Sequence, residues 1–435
     1  MNEIDKFNRG IKYLDILAPL KKKNLYKNIS LKDEYLNLKC VKFIPASGAA
    51  TRMFQELYEY SNTLKKSKYM LRFFAHLKDF PFFSDLDLDD DSDSLKVVKS
   101  VIDNYGEFPK ALIKVHKYKN VSLTPIEEHV KEGIGYLNKD LVRLHFTISS
   151  EHEEIFKDYI KGLKYEGVDF SYSFQKKHTD TMAVDMNNKP FLKDDGEVLY
   201  RPGGHGALIE NLNDIDADIV FIKNIDNVCN DKYLDETIKN KKILASIGFD
   251  VKKEINKFIL DINNGVFEQE RINRFLKKVL NINIKGVLSE SLALKLLKRP
   301  LRVVGVVKNQ GAVGGGPFVV DNGDYSDVQI LEKSEVDFTR FKDIFNSSDY
   351  FNPVDIVCFL KDESGIKYNL LGFVNNDRYF ISRKTYKGRD LKALEHPGLW
   401  NGAMHNFNSV YVEVPLITFN PIKSVNDLLE KGHIG

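Results

Sequence analysis

Apolar residues along the chain recur at two different spacings, and the alternation between them sets the expected architecture. LVRLHFTIS (141–149) reads as a strand, EHEEIFKDYIKGLKYEG (151–167) as an amphipathic helix and VDFSYSFQ (168–175) as a second strand, which together make a βαβ unit and predict a parallel sheet. CVKFIP (40–45) is a short buried-strand pattern. Small residues follow it, and then TRMFQELYEY, in which Met53, Phe54, Leu57 and Tyr58 share one helical face. DIVFIKNIDN (218–227) is an apolar strand running into polar residues, preceded by a helix expected to start near Gly206. Residues 231–300 read mostly as helices, and strands resume at RVVGVV (302–307) and again at VDIVCFL, DRYFIS and VYVEVPL, before a short final helix at VNDLLEK. At the start, Ile11, Leu14, Ile16, Leu17 and Leu20 fall at helical spacing ahead of the basic run Lys21, Lys22, Lys23, and predict a helical N-terminal segment.

The expected organisation is an N-terminal helical segment at 1–38, an α/β domain at 39–350 with a helical insertion at about 231–300, and a C-terminal α/β extension at 351–435. A chain of 435 residues, 43% hydrophobic and 29% charged, is neither disordered nor fibrous. With 64 basic and 62 acidic residues the net charge is +2, so no whole-chain attraction to nucleic acid or to a membrane is expected, and an anionic ligand must be caught locally. Cys40, Cys229 and Cys358 stand far apart, which predicts neither a disulfide framework nor a thiolate metal cluster. The start MNEIDKFNRG has no apolar leader, and the expected location is the cytoplasm. The acidic run SDLDLDDDSDS (84–94) lacks the glycine and closing glutamate of a calcium loop and reads as a solvated surface loop.

Six segments carry candidate chemistry. In PASGAATRM (45–53) a strand end meets a helix start through Ala46, Ser47, Gly48, Ala49, Ala50 and Thr51, small residues that let backbone amides approach an anion, with Arg52 adding a forked cationic donor. A tight connection with nothing bound is the equal alternative. In RPGGHGALIENL (201–212), Gly203, Gly204 and Gly206 surround His205, a turn able to lie against a base or a sugar; a binding role is expected there, not proton transfer. Asp226 ends the strand of FIKNIDN, where a carboxylate suits Mg²⁺ (or Mn²⁺) or merely caps a turn. Gln175 offers a donor and an acceptor at the end of another strand, or simply faces solvent. Lys308, before the glycine run 314–316, and Arg383 and Lys384 are possible phosphate cations or ordinary surface charges.

Taken in this order, the segments resemble the nucleotide-diphospho-sugar transferase superfamily, especially the UDP-sugar pyrophosphorylases. That family opens with a loop of the form L-A-G-G-x-G-T-R, to which residues 45–52 correspond; its later pieces are similar to Gln175, to Pro202–Gly206 and to Asn224–Asn227. Through RPGGHGALIENLN, KNIDNV, NPVDIVCF and HPGLWNGAM, the whole chain also resembles an uncharacterised bacterial family of the same clan. The resemblance implies a Rossmann-like, three-layer (GT-A-like) nucleotidyltransferase fold with a mostly parallel mixed sheet. It also implies Mg²⁺-dependent transfer of a nucleotidyl group, a uridylyl group foremost, from a nucleoside triphosphate to a sugar-1-phosphate with release of pyrophosphate. Arg52 and the loop at Ala46, Ser47, Gly48, Ala49 and Thr51 would then hold phosphates, Asp226 the metal, Gln175 and Gly203, Gly204, His205 and Gly206 the nucleotide, and Lys308 or Lys384 the developing charge. Ser47 and Ala50 stand where the family has glycine, and the lysine that the family places after the loop, usually behind a proline, has no equivalent close by. These departures leave a nucleotide-sugar-consuming glycosyltransferase, or a non-catalytic nucleotide-binding protein, as the alternatives.

Overall fold

A computed structural model describes residues 2–48, 50–89, 91–119, 121–311 and 314–434, without the side chains of 353 and 354. The chain forms two compact units, each assembled from pieces far apart in sequence: residues 40–174, 222–242 and 415–435 in one, and 1–39, 175–221 and 243–414 in the other. Secondary structure is mixed α/β, with mostly parallel pairing among the strands that bear the sequence-predicted βαβ unit.

In the first unit, strand Cys40–Pro45 pairs in parallel with Val142–Ile148, and that strand in parallel with Val168–Phe174. The end of strand Ile219–Lys223 falls in this unit, next to Cys40–Pro45 in the sheet. Cys40–Ile44 and Ile219–Lys223 are buried at every position, as expected of strands covered on both faces. Helix Glu153–Gly162 supplies the crossover of the βαβ unit. Helix Pro125–Tyr136 starts where Thr124 and Glu127 form a capping box and Pro125 presets the first turn. A second core is aromatic: Phe54, Phe73, Phe80 and Phe82 are fully buried, with Val425 and Leu428 of the C-terminal tail among them. VNDLLEK forms a 3₁₀ turn, Val425–Leu429, in place of the expected helix.

Buried charge runs beneath this sheet. Lys42 and Lys223 point at Glu132 from adjacent strands, at 3.4 Å and 2.7 Å, and none of the three is more than 2% exposed. Burial alone would raise the Glu132 pKa, but the two lysines outweigh it and hold the carboxylate well below its usual range. Burial pulls Lys42 from 10.5 down to about 8, with Glu132 opposing the shift.

In the second unit, Leu301–Lys308 pairs antiparallel with Tyr350–Phe359 and parallel with Asn408–Glu413. A four-stranded antiparallel sheet runs Ile16–Pro19, Gly315–Asp321, Tyr325–Glu332, Asn283–Ile284, and another Phe380–Tyr386, Arg389–Glu395, Thr181–Val184, Tyr200–Arg201. The helical stretch expected over 231–300 is present as Asp231–Asn263, Gln269–Lys278 and Glu290–Leu297, the first of them beginning in the other unit. The helical reading of residues 11–20 is corrected. Only Glu3–Arg9 is α-helical in that region, and Ile16–Pro19 is a strand with Ile16 opposite Val320. Ile16 is 3% exposed and Leu17 50%, so the apolar positions that mimic a helical face alternate in and out, and Pro19 suits an edge strand. Among the described residues no helix is long and apolar enough to cross a membrane.

Glu132→Gln leaves two ammonium groups buried without their counter-charge, and is expected to cost about 3–5 kcal/mol in urea unfolding at neutral pH. Because the folded Lys42 pKa lies below its unfolded value of 10.5, the unfolded chain holds the proton longer, and the native state gains stability as pH rises from about 8. Lys42→Met should flatten that rise; an identical pH slope in both proteins would exclude Lys42 as its source.

Candidate functional site

The loop after strand Cys40–Pro45 is clamped from both sides by backbone bonds. Ala46 N donates to Thr147 O at 2.9 Å, Ile225 N to Pro45 O at 3.2 Å, Lys110 N to Gly48 O at 3.2 Å and Ala50 N to Phe108 O at 3.1 Å. A 3₁₀ turn, Ala50–Arg52, then leads to helix Gln55–Thr63. The amides of Ser47 and Gly48 meet no acceptor among the described residues, and both residues are exposed. A Cβ built at Gly48 meets nothing within 4 Å, so this face of the loop is open. Thr51 and Arg52 are exposed, and the Arg52 guanidinium makes no hydrogen bond or ion pair among the described residues. Ala49 lies outside the described residues.

Asp226, just beyond strand Ile219–Lys223, is 7% exposed. Its Oδ2 accepts from Lys110 Nζ at 2.9 Å and from Lys423 Nζ at 2.7 Å. Lys110 also donates to the Ile422 carbonyl, Ile422 N donates to Asp226 O at 3.0 Å, and Val425 N donates to Met53 O at 3.0 Å. Neighbouring atoms are fixed as well: Ile225 O lies 3.2 Å from His129 Nε2, and Asn227 Oδ1 accepts from Asn420 N at 2.9 Å. Burial would raise the Asp226 pKa; the charges of Lys110 and Lys423 overcome it and hold the carboxyl below its ordinary value. Burial pulls Lys110 down, against the opposing pull of Asp226. Lys423 is 65% exposed at its side chain, so one ammonium of the pair is open to solvent and the other is sheltered.

This arrangement does not fit a divalent cation. An ion at Asp226 Oδ2 would stand beside the two ammonium groups already bonded to that oxygen. It does suit an anion: Lys110 and Lys423 both meet Asp226, and the backbone bond from Lys110 N to Gly48 O sets the open Ser47–Gly48 amides beside that segment.

Sequence reasoning singled out the loop and Asp226 and passed over Lys110 and Lys423. The available signal for Lys110 was the pair Pro109–Lys110, a lysine behind a proline, which lies a whole helical region further along than the resemblance led one to look.

Gln175, Gly203–Gly206, Lys308 and Lys384 belong to the second unit. Gln175 donates to Thr179 Oγ1 at 3.4 Å. The His205 ring stacks on Trp400 with centroids 4.3 Å apart, and its Nδ1 accepts from Leu399 N at 3.0 Å, so a neutral ring carries its proton on Nε2, which lies 3.4 Å from Glu332. A Cβ at Gly203 would come within 2.5 Å of Thr179 O, and one at Gly206 within 2.2 Å of Pro397 O. Gly204 has a φ of +76°, where glycine alone is unstrained. Lys384 Nζ is 3.6 Å from Glu395, the residue against which Gly204 packs. Lys308 is an exposed strand end opposite Tyr350, and its ammonium has no ion-pair partner among the described residues.

The fold is similar to that of the UDP-sugar pyrophosphorylases. The UDP-glucose pyrophosphorylase of Leishmania major, solved in open and closed forms, is 13% identical, with a TM-score of 0.52 over 98% of this chain and 73% of that one. The UDP-glucose phosphorylase of Trypanosoma brucei is 14% identical, with a TM-score of 0.51 over 98% and 74%. At such identities the likeness is one of fold. The chain itself belongs to the family described as Domain of unknown function (DUF4301), whose model matches residues 2–434. No curated protein matches it.

Gly206→Ala places a methyl group against the fixed Pro397 carbonyl, and is expected to destabilise the chain by about 1–3 kcal/mol. Trp400 is the single tryptophan, so a shift in its emission in the folded variant reports disturbance of the His205 stack. Native emission and native thermal stability together would show that the close approach is relieved at no cost.

Proposed function

We propose that this chain is a nucleotidyltransferase that transfers a nucleotidyl group, uridylyl foremost, to a sugar-1-phosphate. A phosphate oxygen of the sugar-1-phosphate attacks the α-phosphorus of the triphosphate, the bond to the bridging oxygen of the β-phosphate breaks, and pyrophosphate departs with the electron pair. The observation that carries this reading is the pair of lysines on Asp226 beside the open Ser47–Gly48 amides, on a fold shared with UDP-sugar pyrophosphorylases.

Such a transfer needs charge neutralisation and in-line placement more than covalent help from the protein. In this reading Lys110 takes the part of the lysine that the sequence lacks directly after the loop, held in place by Asp226 and sheltered from water. Lys423 and Arg52, both exposed, meet the outer phosphates, and the amides of Ser47 and Gly48 take an oxygen each. Asp226 acts through the lysines that it orients. The resemblance alone gives Gln175 and the Gly203–Gly206 turn to the nucleotide, and Lys308 or Lys384 to the developing charge. No step is routed through a metal, since the residues around Asp226 favour an anion.

The test is pyrophosphate release by the full chain from a panel of nucleoside triphosphates with sugar-1-phosphates. Turnover is expected with one pair at least, and Lys110→Ala, measured at a temperature where the variant is still folded, should lower kcat about 10²–10³-fold, together with a lower thermal midpoint because Asp226 then keeps Lys423 alone. Absence of pyrophosphate release across the panel would end the proposal, and release of a nucleoside diphosphate from a nucleotide-sugar would move it to glycosyl transfer. Basic pH supplies a second readout. Because burial lowers the Lys110 pKa, activity should fall as pH rises, at pH values below the ordinary lysine value of 10.5, where the ammonium loses its proton.

A further inference from the structure

The second unit holds a basic groove that the proposed reaction does not use. It encloses about 840 Å³, within the range of small-molecule sites, and Lys21, Lys23, Lys27, Lys277 and Lys278 stand in its wall with no carboxylate among its lining residues. Part of the wall is the basic run after the first strand. Lys21 is held by Asp349 at 3.0 Å and by the Ser347 carbonyl at 2.9 Å. The ammonium groups of Lys23, Lys27, Lys277 and Lys278 have no ion-pair partner among the described residues. Asp250, whose charge reaches the half-buried wall residue Tyr26, is itself paired with Lys32 at 2.8 Å.

The backbone beneath these lysines is fixed. Asn281, 4% exposed and at a φ of +55°, accepts from the Asn24 side chain at 3.2 Å and returns its own amide to Asn24 O at 3.0 Å. That exchange ties the Lys22–Asn24 turn to the segment following helix Gln269–Lys278. Tyr26 N donates to Tyr411 O at 2.8 Å, and Leu20 N to Pro317 O at 2.9 Å, which secure the other wall. Lys277 and Lys278 lie in the last turn of their helix, whose carbonyl end tolerates positive charge. Four ammonium groups without ion-pair partners line one groove, so a ligand with several negative charges can meet more than one of them.

We propose that this groove is a second anion site, independent of the loop at 46–48, which takes a small oligophosphate. A single phosphate would neutralise too little of the rim. A balanced chain of net charge +2 offers no extended track for nucleic acid, and the groove has the size of one compact ligand.

The probe is inorganic tripolyphosphate, titrated calorimetrically into the full chain at low and at near-physiological salt. Lys277→Glu with Lys278→Glu should weaken the groove's binding by about tenfold or more, since both residues are exposed and charge reversal there disturbs no core. Lys423→Ala, which acts on the loop site alone, should leave groove binding within about twofold of native. Lys23→Glu with Lys27→Glu attacks the other wall and gives the same result if the first pair fails to fold. The inference is overturned if neither charge-reversed pair alters binding, or if Lys423→Ala alone removes all of it. Loss in the groove variants with groove binding unaffected in Lys423→Ala would support the groove as a site separate from the loop. Tighter binding of phosphatidylserine vesicles or of a single-stranded oligonucleotide than of tripolyphosphate, lost in the same variants, would assign the surface to a macromolecule and reject the small ligand.

Discussion

A carboxylate that is 7% exposed stays ionised only where cations meet it, and at Asp226 the cations come from positions 110 and 423 of the sequence. That requirement organises the first unit. It holds the C-terminal tail to the end of strand Ile219–Lys223, with Ile422 N and Asn420 N adding backbone bonds to Asp226 and Asn227. It draws the Phe108–Lys110 segment against the loop that follows Cys40–Pro45. Both ammonium groups address one oxygen, so each is only partly neutralised. Both donors are therefore already placed, and on the proposed reading a phosphate would meet them with little cost of ordering.

The same sign of charge recurs one layer further back. Lys42 lies three residues before Pro45 and Lys223 three before Asp226, both buried, with Glu132 between them. Two cations against one carboxylate in a medium of low polarity leave a positive potential behind the open loop, screened less than surface charge would be. A chain whose charges almost cancel overall thus concentrates positive charge where Ser47 and Gly48 present free amides.

The sequence pattern exposed the βαβ unit, the strand–loop–turn at 40–52 and the strand that ends before Asp226, because buried parallel strands leave unbroken apolar runs and their crossover helix leaves a 3.6-residue period. It misread residues 11–20 because in a short segment a strand alternation and a helical face share several positions. Lys423 was invisible, and Lys110 was signalled only by the proline before it, for a different reason. A lysine in a local pattern is an exposed lysine until the fold brings it to a buried carboxylate, and nothing near Pro109 or Pro421 announces Asp226. The metal expectation for Asp226 has the same origin, since a strand-end aspartate reads alike whether it meets a dication or two ammonium groups.

The glycine-rich turn at 203–206 shows how far such a motif can be read without its partner. Its glycines suggest open backbone for a ligand, yet two of them are places where the neighbouring chain leaves no room for a Cβ, against Thr179 O and Pro397 O. The constraint runs both ways, since a Cβ at Gly398 would lie 2.8 Å from the His205 ring. The two signature segments RPGGHG and HPGLWNG are therefore halves of one interlocked element, and their glycines answer first to each other. What the element leaves half-exposed is His205, stacked on Trp400, with its proton directed towards Glu332. The element therefore presents a flat ring pair with one donor, positioned by glycines whose own space is taken up by the neighbouring chain.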